Sequence, residues 1–114
     1  MKRLPAAFYR SVSGREPVRI WLKSLGSDDR KAIGDDIRTV EFGWPVGMPI
    51  CRPMGRGLFE VRSDLSGGRI ARVLFAIVNE QAVLLHGFIK KTQKTPQSDL
   101  ETTRRRLTDL KARI

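Results

Sequence analysis

The stretch that decides the fold covers residues 58–90 and reads LFEVRSDLSGGRIARVLFAIVNEQAVLLHGFIK. Apolar and polar residues alternate at its start, and the polar segments 66–68 and 79–81 divide it into three runs rich in β-branched and aromatic residues. Alternation with a period of two between short polar turns is typical of antiparallel strands. The stretch therefore predicts a three-stranded antiparallel meander over residues 58–64, 69–78 and 82–90.

Helical patterns flank the predicted meander on both sides. Pro17 suits a first helical position, Gly26 suits the end of that helix, and Ser27 suits the N-cap of a second helix. After the meander, Thr95 and Pro96 predict the start of a C-terminal amphipathic helix. A short strand is predicted over residues 6–12, and the Gly- and Pro-rich segment 43–57 is predicted to be a loop.

These elements predict an α+β fold in a single domain over residues 1–114. We expect an antiparallel sheet, two packed N-terminal helices and one C-terminal helix. The chain order is strand, helix, helix, three strands, helix. The length suits one ordinary domain with its own hydrophobic core.

The charge of the chain points to a polyanionic partner. Twenty-two Lys and Arg stand against 12 Asp and Glu, which gives a formal net charge of +10. Residues 1–27 carry +5, residues 28–44 carry −2, and residues 45–114 carry +7. The excess therefore lies on both sides of an acidic second helix, and nucleic acid is the first class of partner to consider. A solvated basic surface with no partner is the alternative.

Composition also excludes several classes of protein. One Cys and one His can form neither an internal disulfide nor a Cys/His zinc site. The longest wholly apolar run, residues 73–78, is too short to cross a bilayer, and the N-terminus lacks the apolar segment of a signal peptide. We expect a cytoplasmic protein that needs no metal and no cofactor and has no membrane partner.

The third predicted strand carries the most informative pattern. Its alternation places Val83, Leu85 and Ile89 on a core face and Leu84, His86, Phe88 and Lys90 on the other face. Arg62 and Arg72 of the neighbouring strands could join that second face. Cations and an aromatic ring on one face of a sheet suit an extended nucleic-acid strand.

Each of these residues also has an ordinary structural interpretation. Arg62 could pair with Glu60 at the surface, and His86 could be a hydrogen-bonded structural residue. Phe88 could pack in a core, and the lysines after it could be solvated. If the face does act on RNA, no metal is required, because the 2′-hydroxyl is the nucleophile and the protein needs only an acid, a base and cations.

Three segments resemble the RelE/HigB-type toxins, specifically their phage-derived branch: residues 58–62 (LFEVR), 72–75 (RVLF) and 85–96 (LHGFIKKTQKTP). The resemblance covers nearly the whole chain and implies the fold of the RelE/ParE superfamily. It also implies the toxin of a type II toxin–antitoxin pair, with a helix-turn-helix antitoxin as partner. Many such toxins cleave mRNA on the ribosome without metal, so mRNA and the ribosome are further expected partners.

The resemblance implies roles for individual residues. Arg62 and Arg72 would hold the scissile phosphate, and Lys90 or Lys91 would bind phosphate or transfer a proton. His86 would be an acid–base group. Phe88 is expected to stack on a base. Three cations are expected to make further contacts with nucleic acid: Arg52, Arg56 and Lys94.

Two departures from the family pattern leave alternatives open. Phe88 stands where some ribosome-dependent nucleases of the superfamily have a Tyr, and Thr103 stands where an Ala is commoner. A gyrase poison with this fold would need no acid–base group. An inactive phage-derived module would only bind its antitoxin.

Overall fold

The computed structural model describes residues 1–91 and 94–114, and it confirms the α+β prediction. Its elements are β1 (Ala6–Phe8), α1 (Pro17–Ser24), α2 (Ser27–Gly43), β2 (Cys51–Gly55), β3 (Leu58–Asp64), β4 (Ile70–Val78), β5 (Gln81–Lys90) and α3 (Gln97–Ala112). A short 3₁₀ turn over Ser66–Gly68 joins β3 to β4. No helix within the described ranges has both the length and the apolar character needed to span a bilayer.

The sheet is mixed rather than wholly antiparallel. Its five strands lie in the order β1-β5-β4-β3-β2. The meander β3-β4-β5 is antiparallel as predicted, and β2 extends it, but β1 runs parallel to β5. The helical pair between β1 and the rest of the sheet lets the chain return in the same direction, as a parallel pairing requires.

The predicted loop 43–57 contains the edge strand β2. Pro53 lies within β2, opposite Phe59 of β3. A proline lacks the backbone N–H, and an edge strand is the place in a sheet where that loss is tolerated. The Gly and Pro content that favoured a loop is therefore compatible with a short strand at the border of the sheet.

Two hydrophobic clusters lie on the two faces of the sheet. The larger one packs under α1 and α2, which contribute Val18, Ile33 and Val40. The smaller one packs under α3, which contributes Leu107. The sheet is thus covered on both faces, and α3 packs on the face that carries His86 and Phe88.

A β-bulge in β5 corrects the predicted alternation. His86 pairs with Leu74, but Leu84 pairs with Phe75, so Leu85 is an extra residue in the strand. Because of this insertion Leu84 lies in the α1/α2 cluster, whereas Val83 and Leu85 lie in the α3 cluster. The prediction that His86, Phe88 and Lys90 share a face holds, since all three follow the bulge.

The first residues of two helices differ from the prediction: α2 begins one residue earlier, at Ser27, and α3 begins one residue later, at Gln97. α1 begins at Pro17 as expected, but the residues at the N-cap positions of α2 and α3 are Gly26 and Pro96. Thr95 does not cap α3. Its hydroxyl donates instead to Oε2 of Glu60 on β3, at 2.7 Å.

Gly87 is required by a close contact with α1. A Cβ added at this position would lie 2.5 Å from Cε3 and 2.9 Å from Cη2 of Trp21. We expect Gly87→Ala to lower the free energy of unfolding by about 1–3 kcal/mol, because the ring must move in a packed interface. Urea unfolding measures the effect. Gly34→Ala is the control, since nothing lies within 4 Å of its added Cβ and it should not destabilise.

An ion pair ties α2 to the turn before β4. Arg69 binds both carboxylate oxygens of Asp29, at 2.7 and 3.0 Å, and this bonding lowers the pKa of Asp29. A lowered folded-state pKa gives stability that is present above the unfolded value and is lost as pH falls through the folded one. We therefore expect Asp29→Asn to lose less stability than the wild-type protein between about pH 5 and pH 2, measured by unfolding at each pH.

Candidate functional site

His86 lies beneath α3, with partners on both ring nitrogens. Nε2 is 2.6 Å from Oδ1 of Asp99, and Nδ1 is 3.2 Å from Nη1 of Arg106. A guanidinium can only donate, so Nδ1 is the acceptor and the neutral ring carries its proton on Nε2, which donates to Asp99. The side chain is 17% exposed. This arrangement fixes both the orientation and the tautomer of the imidazole.

Arg106 connects the histidine to the backbone of the bulge. Its Nη1 also donates to the carbonyl oxygen of Leu85, at 2.8 Å. Burial lowers the pKa of its guanidinium, and the neighbouring charge of Arg105 lowers it further. An arginine remains protonated under such conditions. A cation is thereby held directly beside an imidazole nitrogen.

Phe88 and Arg72 are buried, which corrects the roles predicted for them. Phe88 is 7% exposed and Arg72 is fully buried. The Phe88 ring stacks on His86 with centroids 5.8 Å apart, and the Arg72 guanidinium lies 5.8 Å from the centroid of the same ring. A base cannot stack on a covered ring, and a phosphate does not reach a fully buried guanidinium. Phe88 therefore packs against His86, and Arg72 packs against Phe88.

Glu60 is the centre of a buried polar network and not a surface partner of Arg62. It is fully buried and accepts hydrogen bonds from Arg52 Nη2 at 3.0 Å and from Thr95 Oγ1 at 2.7 Å. Nε of Arg72 lies 3.8 Å from its Oε1. The carboxylate thus joins β2, β4 and the segment before α3, and it compensates buried positive charge.

Arg62 lies in acidic surroundings, away from His86. It is half-buried and lines a groove of about 460 Å³ together with Asp35, Asp36 and Asp64. Three carboxylates repel a phosphate group. In the strand register Arg62 lies opposite Arg72, which lies opposite Phe88, so these residues share one face of the sheet as predicted. β4 nevertheless separates Arg62 from His86.

Lys90 and Lys91 are exposed where β5 ends. Lys90 shares the face of His86, but its Cα is about 13 Å farther along the strand. Lys94 is exposed as well. Thr92 and Gln93 of the quoted motif lie outside the described residues.

Three of the predicted nucleic-acid contacts lie along a basic groove between the β2–β3 hairpin and α3. Arg52 and Lys94 line its first part with Leu100, and Arg56 lines the next part with Arg104 and Lys111. None of the described residues that line these two parts is a carboxylate. We define the basic groove by these five cations: Arg52, Arg56, Lys94, Arg104 and Lys111. Such a row of cations suits a sugar-phosphate backbone.

Sequence reasoning missed the contributions of α3. Asp99 and Arg106 contact His86, while Arg104 and Lys111 line the basic groove. The spacing did hold a signal, because Asp99, Thr103 and Arg106 recur at helical intervals on the face that also carries Leu107. Polar residues on the buried face of a helix indicate partners on the surface beneath it.

The comparisons with known proteins identify the family of the chain. The profile of the family described as phage-derived protein Gp49-like (DUF891) matches residues 20–108. The match covers β2 to β5, most of both N-terminal helices and most of α3. No curated protein sequence matches the chain significantly. The fold is consistent with that of a RelE-like toxin. The chain therefore belongs to the Gp49-like phage-derived protein family, a family of RelE/HigB-like toxins.

Proposed function

We propose that this protein is the toxin of a type II toxin–antitoxin pair and cleaves mRNA on the ribosome without a metal ion. The observation that carries the proposal is the imidazole of His86, held by Asp99 with Nδ1 facing Arg106. A base oriented by a carboxylate, next to a fixed cation, is the minimal apparatus for internal attack by a 2′-hydroxyl.

In the proposed reaction His86 is the general base. Arg106 turns from Nδ1 towards the phosphate, and Nδ1 takes the proton of the 2′-hydroxyl as the 2′-oxygen attacks the adjacent phosphorus. Asp99 stabilises the imidazolium that forms. Arg106 donates to a non-bridging oxygen, where negative charge develops. The bond from phosphorus to the 5′-oxygen breaks, and Lys90 protonates that leaving oxygen. The products are a 2′,3′-cyclic phosphate and a 5′-hydroxyl.

The basic groove would bind RNA away from the reacting bond. Its cations lie on the β2 flank of α3, whereas Asp99 and Arg106 face β5. Ribosomal RNA or a distant part of the mRNA would occupy it. The basic groove would thus contribute to the affinity for RNA, and His86 would catalyse the cleavage.

The proposal is tested with purified protein, ribosomes and a defined mRNA, in enough Mg²⁺ to keep the ribosomes assembled. The protein is first stripped of bound metal by dialysis against EDTA, which is then removed. We expect cleavage with ribosomes present and little or none of free mRNA. Intact mRNA together with unaffected translation would refute it. Expression in cells should arrest growth, and co-expression of a helix-turn-helix antitoxin encoded beside this protein should restore it.

Neutralising the basic groove is expected to weaken RNA binding. The double variant Arg104→Ala, Lys111→Ala removes two cations of the groove. We expect the slope of log K against log salt for single-stranded RNA to fall in magnitude by about 1.4, because each lost phosphate contact contributes about 0.7. Lys23→Ala, Arg38→Ala removes the same charge from exposed sites on α1 and α2. An equal loss in both variants would show that only net charge matters.

One observation favours a non-enzymatic toxin as the second candidate. Both nitrogens of His86 already have partners, as expected for a structural histidine. A gyrase poison, or a module that only binds its antitoxin, would have this arrangement without using it. Growth arrest with intact mRNA would favour the gyrase poison. Absence of growth arrest would favour the module that only binds its antitoxin.

A further inference from the structure

A second cationic pocket lies on the flank of α3 opposite the basic groove. It has a volume of about 710 Å³ and lies between α3 and the turn that precedes α1. The turn contributes Ser11, Ser13 and Arg15, and the helix contributes Arg105 and Arg106. A volume of this order accommodates a mononucleotide.

The turn is fixed by its own hydrogen bonds. Ser11 N donates to Arg15 O at 2.8 Å, and Gly14 N donates to Ser11 O at 2.9 Å. Ser11 Oγ accepts from the Arg15 N–H at 3.2 Å and lies 2.9 Å from Ser13 Oγ. Gly14 has a φ of +91°, a conformation that favours glycine. Two hydroxyls and one arginine are therefore presented from a closed loop.

The charges that line this pocket favour an anion. Among the described residues, the side chains of Arg15 and Arg105 form no ion pair. The carboxylate at the border, Asp109, already accepts hydrogen bonds from Tyr9 at 2.5 Å and from Arg113 at 2.8 Å. Burial lowers the pKa of Arg106, and the neighbouring charge of Arg105 lowers it further. An anion between the two arginines would relieve their repulsion.

We infer that the pocket formed by Ser11, Ser13, Arg15, Arg105 and Arg106 binds the phosphate of a nucleotide in the substrate RNA. Hydroxyls and guanidinium groups are the donors that phosphate oxygens prefer. The inference rests on the proposed function, since it names the place where the RNA approaches the reacting bond. It goes beyond that proposal by assigning a site to the β1–α1 turn.

Arg106 gives the pocket a direct link to the chemistry. It lines the pocket and also lies 3.2 Å from Nδ1 of His86. A phosphate bound by Arg106 would be held next to the imidazole. A rotation of Arg106 towards that phosphate would free Nδ1 to accept a proton. The substrate itself would thus prepare the general base.

The inference is tested by titrating the full chain with adenosine 3′-monophosphate, followed by NMR of backbone and arginine side-chain N–H groups. The largest shifts are expected at Ser11, Ser13 and Arg106. Arg105→Ala should weaken binding about tenfold, the effect of one charged hydrogen bond. Arg38→Ala, an exposed arginine on α2, should change binding less than twofold. A short RNA is titrated in parallel. Comparing the two titrations shows whether the pocket binds the phosphate of a free nucleotide or that of a nucleotide within RNA.

Each outcome decides the inference. It is overturned if the shifts cluster in the basic groove, if Arg105→Ala and Arg38→Ala weaken binding equally, or if an acidic peptide binds the pocket and the nucleotide does not. Binding at the pocket without any cleavage of mRNA would refute the nuclease and leave the pocket intact. Cleavage that is unchanged in Arg105→Ala, with no nucleotide bound, would refute the pocket alone.

Discussion

Replacing His86 with alanine is expected to lower the rate of RNA cleavage by about 10²- to 10⁴-fold, the usual contribution of a general base. The ring is the only imidazole in the chain. Asp99 and Arg106 fix its tautomer with Nδ1 as the acceptor. Single-turnover cleavage of a ribosome-bound mRNA measures the effect without interference from product release.

Two further variants separate chemistry from structure. Asp99→Asn keeps an oxygen that can accept from Nε2–H but removes the charge that stabilises the imidazolium, so the rate should fall while the fold remains. His86→Gln retains polar groups beneath α3, and circular dichroism and thermal unfolding report whether it folds. A folded His86→Gln protein that cleaves at the wild-type rate would show that the histidine is structural.

Replacing Glu60 with alanine is expected to destabilise the protein by about 3–5 kcal/mol, which is the usual effect of breaking a buried ion pair from one side. The carboxylate is fully buried, and Arg52, Arg72 and Thr95 surround it. Its removal takes a buried negative charge away from the arginines that face it. Urea unfolding of the purified protein measures the loss.

A double variant distinguishes lost compensation from a simple cavity. In Glu60→Met, Arg72→Met neither the Glu60 nor the Arg72 charge is present. We expect it to be more stable than Glu60→Met alone, which fills the same space at residue 60 but keeps the Arg72 charge. Glu101→Gln is the surface control, since Glu101 is exposed on α3, and it should change stability by less than about 0.5 kcal/mol. If Glu60→Ala were as stable as Glu101→Gln, the network would have no role in stability.

Local sequence patterns predicted the strands of the meander and the start of α1. Alternation and tight turns located the antiparallel strands β3, β4 and β5, and Pro17 located the start of α1. The parallel pairing of β1 depends on contacts between distant segments, so no local pattern encodes it. The bulge at Leu85 cannot be predicted from the local pattern either. One inserted residue moves every residue before it to the other face of the sheet, and the composition of the strand does not change.

The candidate site was predictable only in part. The histidine was found because it is the only one in the chain and shares a strand face with Phe88 and Lys90. The burial of Arg72 and Phe88 was missed, since the contribution of α3 and of the segment before it cannot be read from the strand itself. The apolar spacing of α3 predicts a packed helix but not the strand that it covers, so it does not assign Asp99 and Arg106 to His86.

The chemical nature of the cut RNA end tests the central claim most directly. A defined mRNA is incubated with ribosomes in Mg²⁺ buffer and with protein that has been stripped of bound metal by dialysis against EDTA. The 3′ end at the cut is identified by mass spectrometry. The account predicts a 2′,3′-cyclic phosphate, which only internal attack by the 2′-oxygen produces, and its absence with His86→Ala. A 3′-hydroxyl end, cleavage that requires added metal, or an uncut message would contradict the account.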